Sequence, residues 1–324
     1  MENVYTDLAV EAREIYAQTN NSKTDGVEFK EFKYGDINVS QVEVVDDTGE
    51  KRMGKPKGTY ITIDMPDFTH YDGDTMDKVS KAMAQAMSNV IRIQDSMTAL
   101  VVGLGNSSVT PDALGPRVIS KLMITRHLKE FVPDSIDEGI RPVCAVAPGV
   151  LGTTGIETGE IIKGIVEKIK PDIIICIDAL ASRKMERVNR TIQIGNTGIS
   201  PGSGVGNKRM ELSKKTLGVP VIAIGVPTVV DAATMANDTI DMVLDEMIRN
   251  ASQGSKFYDI LKSVNKDEKA KMIREVLNPY IGNLVVTPKE VDTVIESLSR
   301  IIANGINISL QPALDLDDIN KFLN

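Results

Sequence analysis

The sequence predicts an α/β protein with a mainly parallel central sheet, helices on both faces and a β-rich N-terminal part. From about residue 98, continuous apolar runs alternate with segments of helical periodicity, which is typical of parallel strands buried on both faces. The first 70 residues instead alternate apolar and polar side chains, which is typical of strands with one exposed face. We therefore expect residues 8–70 to be β-rich and residues 71–324 to form the α/β core of the same integrated domain.

Two strands and a helix are predicted before the core. Alternation over Ile37–Val44 and Thr59–Ile63 predicts two strands, joined across a turn at Asp47–Gly49. That tripeptide also matches the short signature of pepsin-like proteases, but a polar hairpin turn explains it better. Apolar residues at three- and four-residue steps predict an amphipathic helix over residues 73–96.

The core is predicted from short apolar runs and the helical segments between them. The runs are Ala99–Leu104, Val143–Ala147, Ile173–Ile177, Val219–Val226 and, further on, Asn283–Val286. The helices are predicted at residues 113–130, 158–169, 207–216, 231–249, 256–278 and 288–304.

Composition limits the classes of function. Hydrophobic residues make up 42% and charged residues 25% of the 324 residues, which is an ordinary globular balance. The formal net charge of −8 argues against direct binding to a nucleic-acid backbone. We see neither a secretion signal nor an apolar run long enough for a membrane span, so we expect a cytoplasmic protein with no membrane partner. The two cysteines, Cys144 and Cys176, lie in apolar runs and suit a reducing compartment.

Two aspartates are the candidate catalytic groups. Only two histidines are present, His70 and His127, and no Cys/His cluster has metal-ligand spacing, so we expect neither a metal nor a cofactor. Asp112 and Asp178 follow two apolar runs, and the carboxyl ends of parallel strands meet at one edge of a sheet. Two close carboxyls share a proton, so such a pair can activate water and protonate an amide. Structural roles remain open, with Asp112 as a helix N-cap and Asp178 as a cap or an ion-pair partner of Arg183.

Glycine-rich loops support an alternative function, a non-catalytic nucleotide- or phosphate-binding α/β protein. Residues 103–108 resemble a dinucleotide loop without its third glycine, and residues 202–208 resemble a phosphate loop with the wrong spacing to Lys208. A third glycine-rich loop, residues 147–159, suits either substrate binding or simple turn geometry.

Several blocks resemble one known family, the spore germination proteases of endospore-forming bacteria. The similarity extends from about residue 6 to beyond residue 305. The blocks that carry it are Gly103–Asn106, Thr110–Pro116, Ala147–Val150, Thr154–Gly155, Ile177–Arg183, Asn196–Ile199, Pro201–Asn207 and Val286–Asp292.

The resemblance implies an endopeptidase that degrades small acid-soluble spore proteins during germination, located in the spore core. It implies an atypical aspartic mechanism whose two essential aspartates match Asp112 and Asp178. It also implies a homotetramer, a zymogen that processes itself, and a fold similar to that of hydrogenase maturation proteases. A nickel-binding maturation activity is disfavoured here, because neither His70 nor His127 obviously lies near these loops.

The N-terminus carries a candidate processing site. Thr6–Glu11 is similar to the cleavage motif of the spore protein substrates, in which the bond after the acidic residue is cut. We therefore predict self-cleavage between Asp7 and Leu8, which makes residues 1–7 a propeptide. As an alternative or an additional role, Asp7 would cap a helix running through Val10–Tyr16.

Overall fold

Nine strands of the described residues form one mixed sheet. The computed structural model describes residues 6–19, 24–66, 73–90, 94, 96–132, 134, 136, 139–202, 209–265, 268–269, 271–273, 275–276 and 284–323. The strands are β1 (Val27–Tyr34), β2 (Ile37–Val44), β3 (Gly58–Asp64), β4 (Ala99–Gly103), β5 (Val143–Val146), β6 (Ile173–Ser182), β7 (Thr191–Gly195), β8 (Val221–Asp231) and β9 (Val285–Val286). Their order across the sheet is β1-β2-β3-β7-β8-β6-β4-β5, with β9 paired to the end of β8.

The prediction of a mainly parallel sheet is wrong, although the α/β class is confirmed. Only β5, β4, β6 and β8 pair in parallel, whereas the remaining pairs are antiparallel. The physical reason is β7, which follows β6 after a short connection and inserts antiparallel between β8 and β3. Through β7, the N-terminal strands become part of the same sheet as the parallel strands.

The N-terminal strands agree with the alternation in the sequence, but the predicted hairpin turn does not form. β2 and β3 pair antiparallel, as do β1 and β2. The segment at Asp47–Gly49 begins a short helix instead, because the Asp46 carboxylate accepts hydrogen bonds from the amides of Thr48 and Gly49, both at 2.9 Å.

Twelve labelled helices complete the fold of the described residues. They are α1 (Ala9–Thr19), α2 (Asp47–Met53), α3 (Gly73–Val90), α4 (Leu114–Ile119), α5 (Arg126–Phe131), α6 (Leu151–Thr154), α7 (Thr158–Ile169), α8 (Lys214–Leu217), α9 (Ala232–Asn250), α10 (Lys256–Lys262), α11 (Val291–Leu310) and α12 (Leu316–Leu323). Residues 268–269, 271–273 and 275–276 are also helical. Among all the described residues, no helix combines the length and the apolar character that crossing a bilayer requires.

Two predicted long helices are interrupted. The segment predicted as one helix over 113–130 contains α4 and α5, separated at residues 120–125. In that gap the Met123 amide donates to Asn307 Oδ1 of α11 at 3.0 Å, so a tertiary hydrogen bond replaces a helical one. The segment predicted over 256–278 ends its first helix at Lys262. The predicted helix at 207–216 is reduced to α8, and residues 207 and 208 lie outside the described residues.

Helices cover both faces of the parallel strands, and alternate residues of each strand point to opposite faces. Val101 packs in the larger core with residues of α3, α4 and α11. Its neighbour Val102 packs in a second core with Ile162 and Val166 of α7. Burial of each such aliphatic side chain contributes about 1.5–3 kcal/mol, so the two cores hold the sheet between its helices.

The end of β4 touches the start of α4 without intervening side chains. A Cβ at Gly115 would lie 2.2 Å from the Leu104 carbonyl oxygen, and a Cβ at Gly103 would lie 2.4 Å from the Gly115 carbonyl oxygen. Both neighbours are backbone atoms, so they cannot move aside as a flexible side chain would. These two glycines therefore fix where the chain leaves the sheet.

We predict opposite effects for two helical glycine-to-alanine substitutions. Gly115→Ala should lower the free energy of unfolding by about 1–3 kcal/mol, because the added methyl overlaps the backbone. Gly164→Ala in α7 is the matched control: a Cβ there meets nothing within 4 Å, so helix propensity should raise stability by about 0.5–1 kcal/mol. Chemical denaturation of both variants checks this, and equal stability of the two would contradict the close packing described.

Candidate active site

Asp112 lies in a loop that leaves the sheet at the carboxyl end of β4. β4 ends at Gly103 beside Ile177 of β6, and the Leu104 amide donates to the Ile177 carbonyl oxygen at 2.8 Å. The loop then closes on itself, because the Asn106 amide donates to Asp112 Oδ2 at 2.8 Å and to the Asp112 carbonyl oxygen at 3.1 Å. Gly105 permits this closure with a φ of 111°. Asp112 ends a 3-10 turn and is partly buried.

Asp178 lies within β6, not after it. β6 and β8 extend several residues beyond the end of β4, and Asp178 is paired with Gly225 of β8. Its side chain is 6% exposed, and its Oδ1 accepts a hydrogen bond from the Ala179 amide at 3.0 Å. The sheet edge is therefore stepped, and the loop that follows the shorter strand carries Asp112 to the longer one.

The structure brings the two predicted aspartates into electrostatic contact. Burial raises the pKa of Asp178 well above its ordinary value, and the negative charges of Asp112 and Asp7 raise it further. Burial also raises the pKa of Asp112, an effect opposed by the hydrogen bond from the Asn106 amide. Because the more buried carboxyl resists ionisation beside a charged neighbour, the pair retains a proton above the pH at which an isolated aspartate loses it.

The predicted processing site lies against the same strand. The Asp7 amide donates to the Ala181 carbonyl oxygen at 3.3 Å, and the Ala181 amide donates to Asp7 Oδ2 at 2.9 Å. Leu8 is completely buried in an apolar cluster with Val10 and Leu180. α1 begins directly afterwards, as the sequence predicted for Val10–Tyr16. The bond between Asp7 and Leu8 is thus held against the part of β6 that follows Asp178.

Two side chains that sequence reasoning missed contact the carbonyl oxygen of Asp7. Lys55 Nζ donates to it at 2.9 Å and also donates to the Thr6 carbonyl oxygen at 2.9 Å. Gln193 Nε2 donates to it at 3.1 Å, while Gln193 Oε1 accepts from the Ala9 amide at 2.6 Å. Burial lowers the pKa of Lys55, whereas the charges of Asp7 and Glu11 raise it.

Glu11 anchors the other end of the same segment. Its carboxylate accepts hydrogen bonds from the backbone amides of Arg183 at 2.8 Å and Lys184 at 2.9 Å. Arg187 Nε lies 3.8 Å from Glu11 Oε1, and the Thr6 hydroxyl donates to Oε2. The motif at Thr6–Glu11 indicated that a glutamate belongs at this position, but its partners beyond β6 had no signal in the sequence.

The structural roles considered for the two aspartates do not occur. The N-cap of α4 is Ala113, and no side chain caps that helix. Arg183 forms its ion pair with Asp238, with Nη2 and Oδ1 3.4 Å apart. The Asp112 carboxylate is instead bound within its own loop.

Within the described residues, the features of the alternative functions do not form a second site. The Asn106 amide, which a phosphate would need, is bound to Asp112. Most of the other glycine-rich loop, residues 203–208, lies outside the described residues, as does His70. His127 is in α5. Across the ranges described, no group of three or more His, Cys, Asp or Glu side chains is arranged to hold a metal ion.

Comparison with known proteins identifies the family. The family model described as germination protease matches residues 6–263 and 245–323. The chain belongs to the germination protease family. The germination protease of Clostridium tetani is 66% identical over 322 residues, which cover 99% of this chain and all of the relative. That of Clostridium acetobutylicum is 64% identical over 327 residues and covers both chains fully. That of a Geobacillus species is 45% identical over 363 residues, covering 99% of this chain and 97% of the relative.

We predict that Glu11→Ala loosens the segment that crosses the site. Each lost hydrogen bond to the carboxylate is worth about 1.5–3 kcal/mol, so the Arg183 and Lys184 amides should exchange with solvent roughly 10- to 100-fold faster. Hydrogen exchange measures this directly. Glu28→Ala is the control, because Glu28 is exposed and its ion pair with Lys30 has an N–O distance of 3.8 Å. Unchanged exchange at both amides in Glu11→Ala would refute the anchoring role.

Proposed function

We propose that this germination protease is a self-processing aspartic endopeptidase that degrades small acid-soluble spore proteins, with Asp178 as its acid and Asp112 as its base. One observation supports this most strongly: the residue before the predicted cut, Asp7, is close enough to Asp178 for its charge to raise the pKa of that carboxyl. The segment that carries the predicted cut therefore lies within the electrostatic reach of Asp178.

Asp178 is the acid and Asp112 is the base in this proposal. Asp178 is the more buried of the two, and its pKa is raised by burial and by the charge of Asp112, so it keeps the shared proton. Asp112 is partly buried, and the hydrogen bond from the Asn106 amide favours its ionised form. Their titrations remain coupled, so each apparent pKa belongs to the pair.

The reaction then proceeds as a hydrolysis with one added water. Asp112 takes a proton from the water as the water oxygen attacks the carbonyl carbon of Asp7. Asp178 gives its proton to the leaving nitrogen of Leu8 as the carbon–nitrogen bond breaks. The products are a chain that ends at Asp7 and a chain that begins at Leu8.

The segment Thr6–Glu11 marks the substrate-binding site on the enzyme. It enters against β6, buries Leu8 and ends at the anchored Glu11. A spore protein with the same motif would use the same contacts, so residues 1–7 act as a propeptide whose described part, Thr6 and Asp7, lies in the site until the chain is cut. Residues 1–5 lie outside the described part of the chain. A protease of these substrates would act in the cytoplasm of the forespore and spore core, which is the location in this proposal.

Residues 8–70 and 71–324 form one integrated domain in this proposal. It is supported by β7, which joins the N-terminal strands to the parallel ones in one sheet. The parallel strands β5-β4-β6-β8, covered on both faces, also support a fold similar to that of hydrogenase maturation proteases.

The proposed protease is a homotetramer, and α9 and α10 supply one of its contacts. None of the 19 residues of α9 is buried. Nine of the 19 exposed large hydrophobic side chains of the described residues fall between Ile240 and Val276, a concentration that marks a protein interface. Val243, Met247 and Phe257 line a cavity of about 430 Å³ within this surface. A second copy of the chain is the occupant that the family resemblance implies.

We predict that Val243→Asp weakens this association. Val243 is 53% exposed, and a carboxylate there would lose its hydration on burial by a partner subunit. Sedimentation should show smaller species at equal concentration. Val45→Asp is the matched control, since Val45 is 52% exposed and lies between β2 and α2. An unchanged sedimentation profile for Val243→Asp would remove α9 from the interface.

We predict that Asp112→Asn and Asp178→Asn each abolish self-cleavage while leaving the chain folded. Asp112→Asn removes the base that takes the proton from water, and Asp178→Asn removes the acid that protonates the leaving nitrogen. Incubating purified precursor and sequencing the new N-terminus checks this: the wild type should yield a product beginning with Leu8, and neither variant should. Cleavage by Asp112→Asn at the wild-type rate would reject the assignment.

The pH profile of the wild type provides a second measurement of the same assignment. The active state has Asp112 ionised and Asp178 protonated, so the rate should rise as Asp112 ionises and fall as Asp178 does. Because burial raises both pKa values, both limbs should lie above the ordinary aspartate pKa of about 3.9. A rate that keeps rising through neutral pH would contradict the acid role of Asp178.

A further inference from the structure

We infer that Lys55 and Gln193 form an oxyanion site that stabilises the charge that develops on the carbonyl oxygen of the residue before the cut. The inference rests on the proposed function and extends it to two residues outside the aspartate pair. Both side chains already donate hydrogen bonds to the Asp7 carbonyl oxygen, at 2.9 Å from Lys55 Nζ and 3.1 Å from Gln193 Nε2.

The two donors reach this oxygen from different elements of the sheet. Lys55 lies in the connection between α2 and β3, and Gln193 lies in β7. β3 and β7 are neighbours in the sheet. The antiparallel insertion of β7 therefore places both donors on the same peptide group.

Gln193 is aligned with Asp178 across the sheet. Both residues are paired with Gly225 of β8, Gln193 from one side and Asp178 from the other. Residues paired in this way point to the same face, and neighbouring strands are about 4.8 Å apart, so the two side chains stand roughly 10 Å from each other. Gly225 contributes no side chain between them, and a Cβ there would lie 2.4 Å from Leu180 Cδ1. The side chain of Leu180 fills the space over Gly225 and packs in one apolar cluster with Leu8, the residue after the predicted cut.

Gln193 also fixes the orientation of the scissile peptide group. Its Oε1 accepts from the Ala9 amide at 2.6 Å, while its Nε2 donates to the Asp7 carbonyl oxygen. One planar amide thus holds the backbone on both sides of Leu8, so the Asp7 carbonyl cannot rotate away from Lys55. Fixed donors of this kind require no rearrangement when charge develops on the oxygen.

Lys55 supplies a charge in surroundings where charge interacts strongly. Burial lowers the pKa of its ammonium group. Although Lys55 as a whole is half-buried, its Nζ faces two carbonyl oxygens of the bound segment, so water screens this charge less than it screens a lysine on the open surface. When water adds to the carbonyl carbon, the carbonyl oxygen takes the negative charge and the hydrogen bond from Lys55 strengthens. As the bond to Leu8 breaks, an electron pair on that oxygen re-forms the carbonyl double bond and the leaving nitrogen takes its proton from Asp178, so Lys55 transfers no proton.

The test is the first-order rate of self-cleavage of the full-length chain with Lys55→Met. Loss of one oxyanion donor should slow cleavage by about 10²- to 10³-fold. Lys57→Met is the matched control, because Lys57 is exposed and pairs with Asp47. This variant should cleave itself at the wild-type rate. Lys55→Arg keeps a cationic donor and should recover part of the loss. Gln193→Glu removes the Nε2 donor, keeps the acceptor for Ala9, and should also slow cleavage.

Hydrogen exchange separates this role from simple holding of the segment. The Ala181 amide is protected by Asp7 Oδ2, so it reports whether the segment remains in place. The protection of the Ala181 amide from exchange should be the same in the uncleaved Lys55→Met chain as in the uncleaved Asp112→Asn chain. An unchanged cleavage rate in Lys55→Met, or a slow rate accompanied by lost Ala181 protection, would overturn the oxyanion role and leave the aspartate pair untouched. Failure of the wild type to cut after Asp7 would overturn the proposed function and this inference together.

Discussion

The burial of one carboxyl group beside another is the constraint on which the rest of the site depends. Asp178 is almost wholly enclosed, and a full charge there would be costly beside the charge of Asp112. The stepped sheet edge produces this proximity, since β6 extends beyond β4 while the loop after β4 turns back over it. The glycine contact between Gly103 and Gly115 fixes that turn. The order and lengths of the strands therefore contribute to the raised pKa of Asp178 as much as the two aspartates themselves do.

The polar contacts around the N-terminal segment offset the free energy that burying its charged and polar groups would otherwise cost. Glu11 is enclosed, yet backbone amides of Arg183 and Lys184 satisfy its carboxylate. Lys55 faces two carbonyl oxygens and the charges of Asp7 and Glu11. Such complementary contacts favour a segment of one sequence over others, because a substrate without the glutamate would leave two amides unpaired.

The site residues that were predicted are marked by a local sequence pattern, whereas those that were missed are brought together only by the folding of the chain. Asp112 and Asp178 each follow an apolar run, so the strand-end rule and the family blocks both pointed to them. Lys55 and Gln193 could not be found this way, because they are 48 and 186 residues from Asp7 and meet it only through the antiparallel position of β7. Local periodicity predicted most strands, whereas the direction and order of β7 depend on tertiary packing. The same limit explains the mixed sheet and the division of the segment at 113–130 into two helices.

A cut after Asp7 would release only the upstream product, because Leu8 stays joined to α1, which itself contains Ala9, Val10 and Glu11. The new N-terminus would therefore remain as a tethered competitor, at a high effective concentration, in the half of the cleft that must receive the incoming chain. Its hold would rest on the enclosed Leu8 and on Glu11, since the contacts of Asp7 leave with the propeptide. Turnover on other proteins then requires α1 to withdraw, which couples the mature enzyme's activity to the mobility of its own first helix.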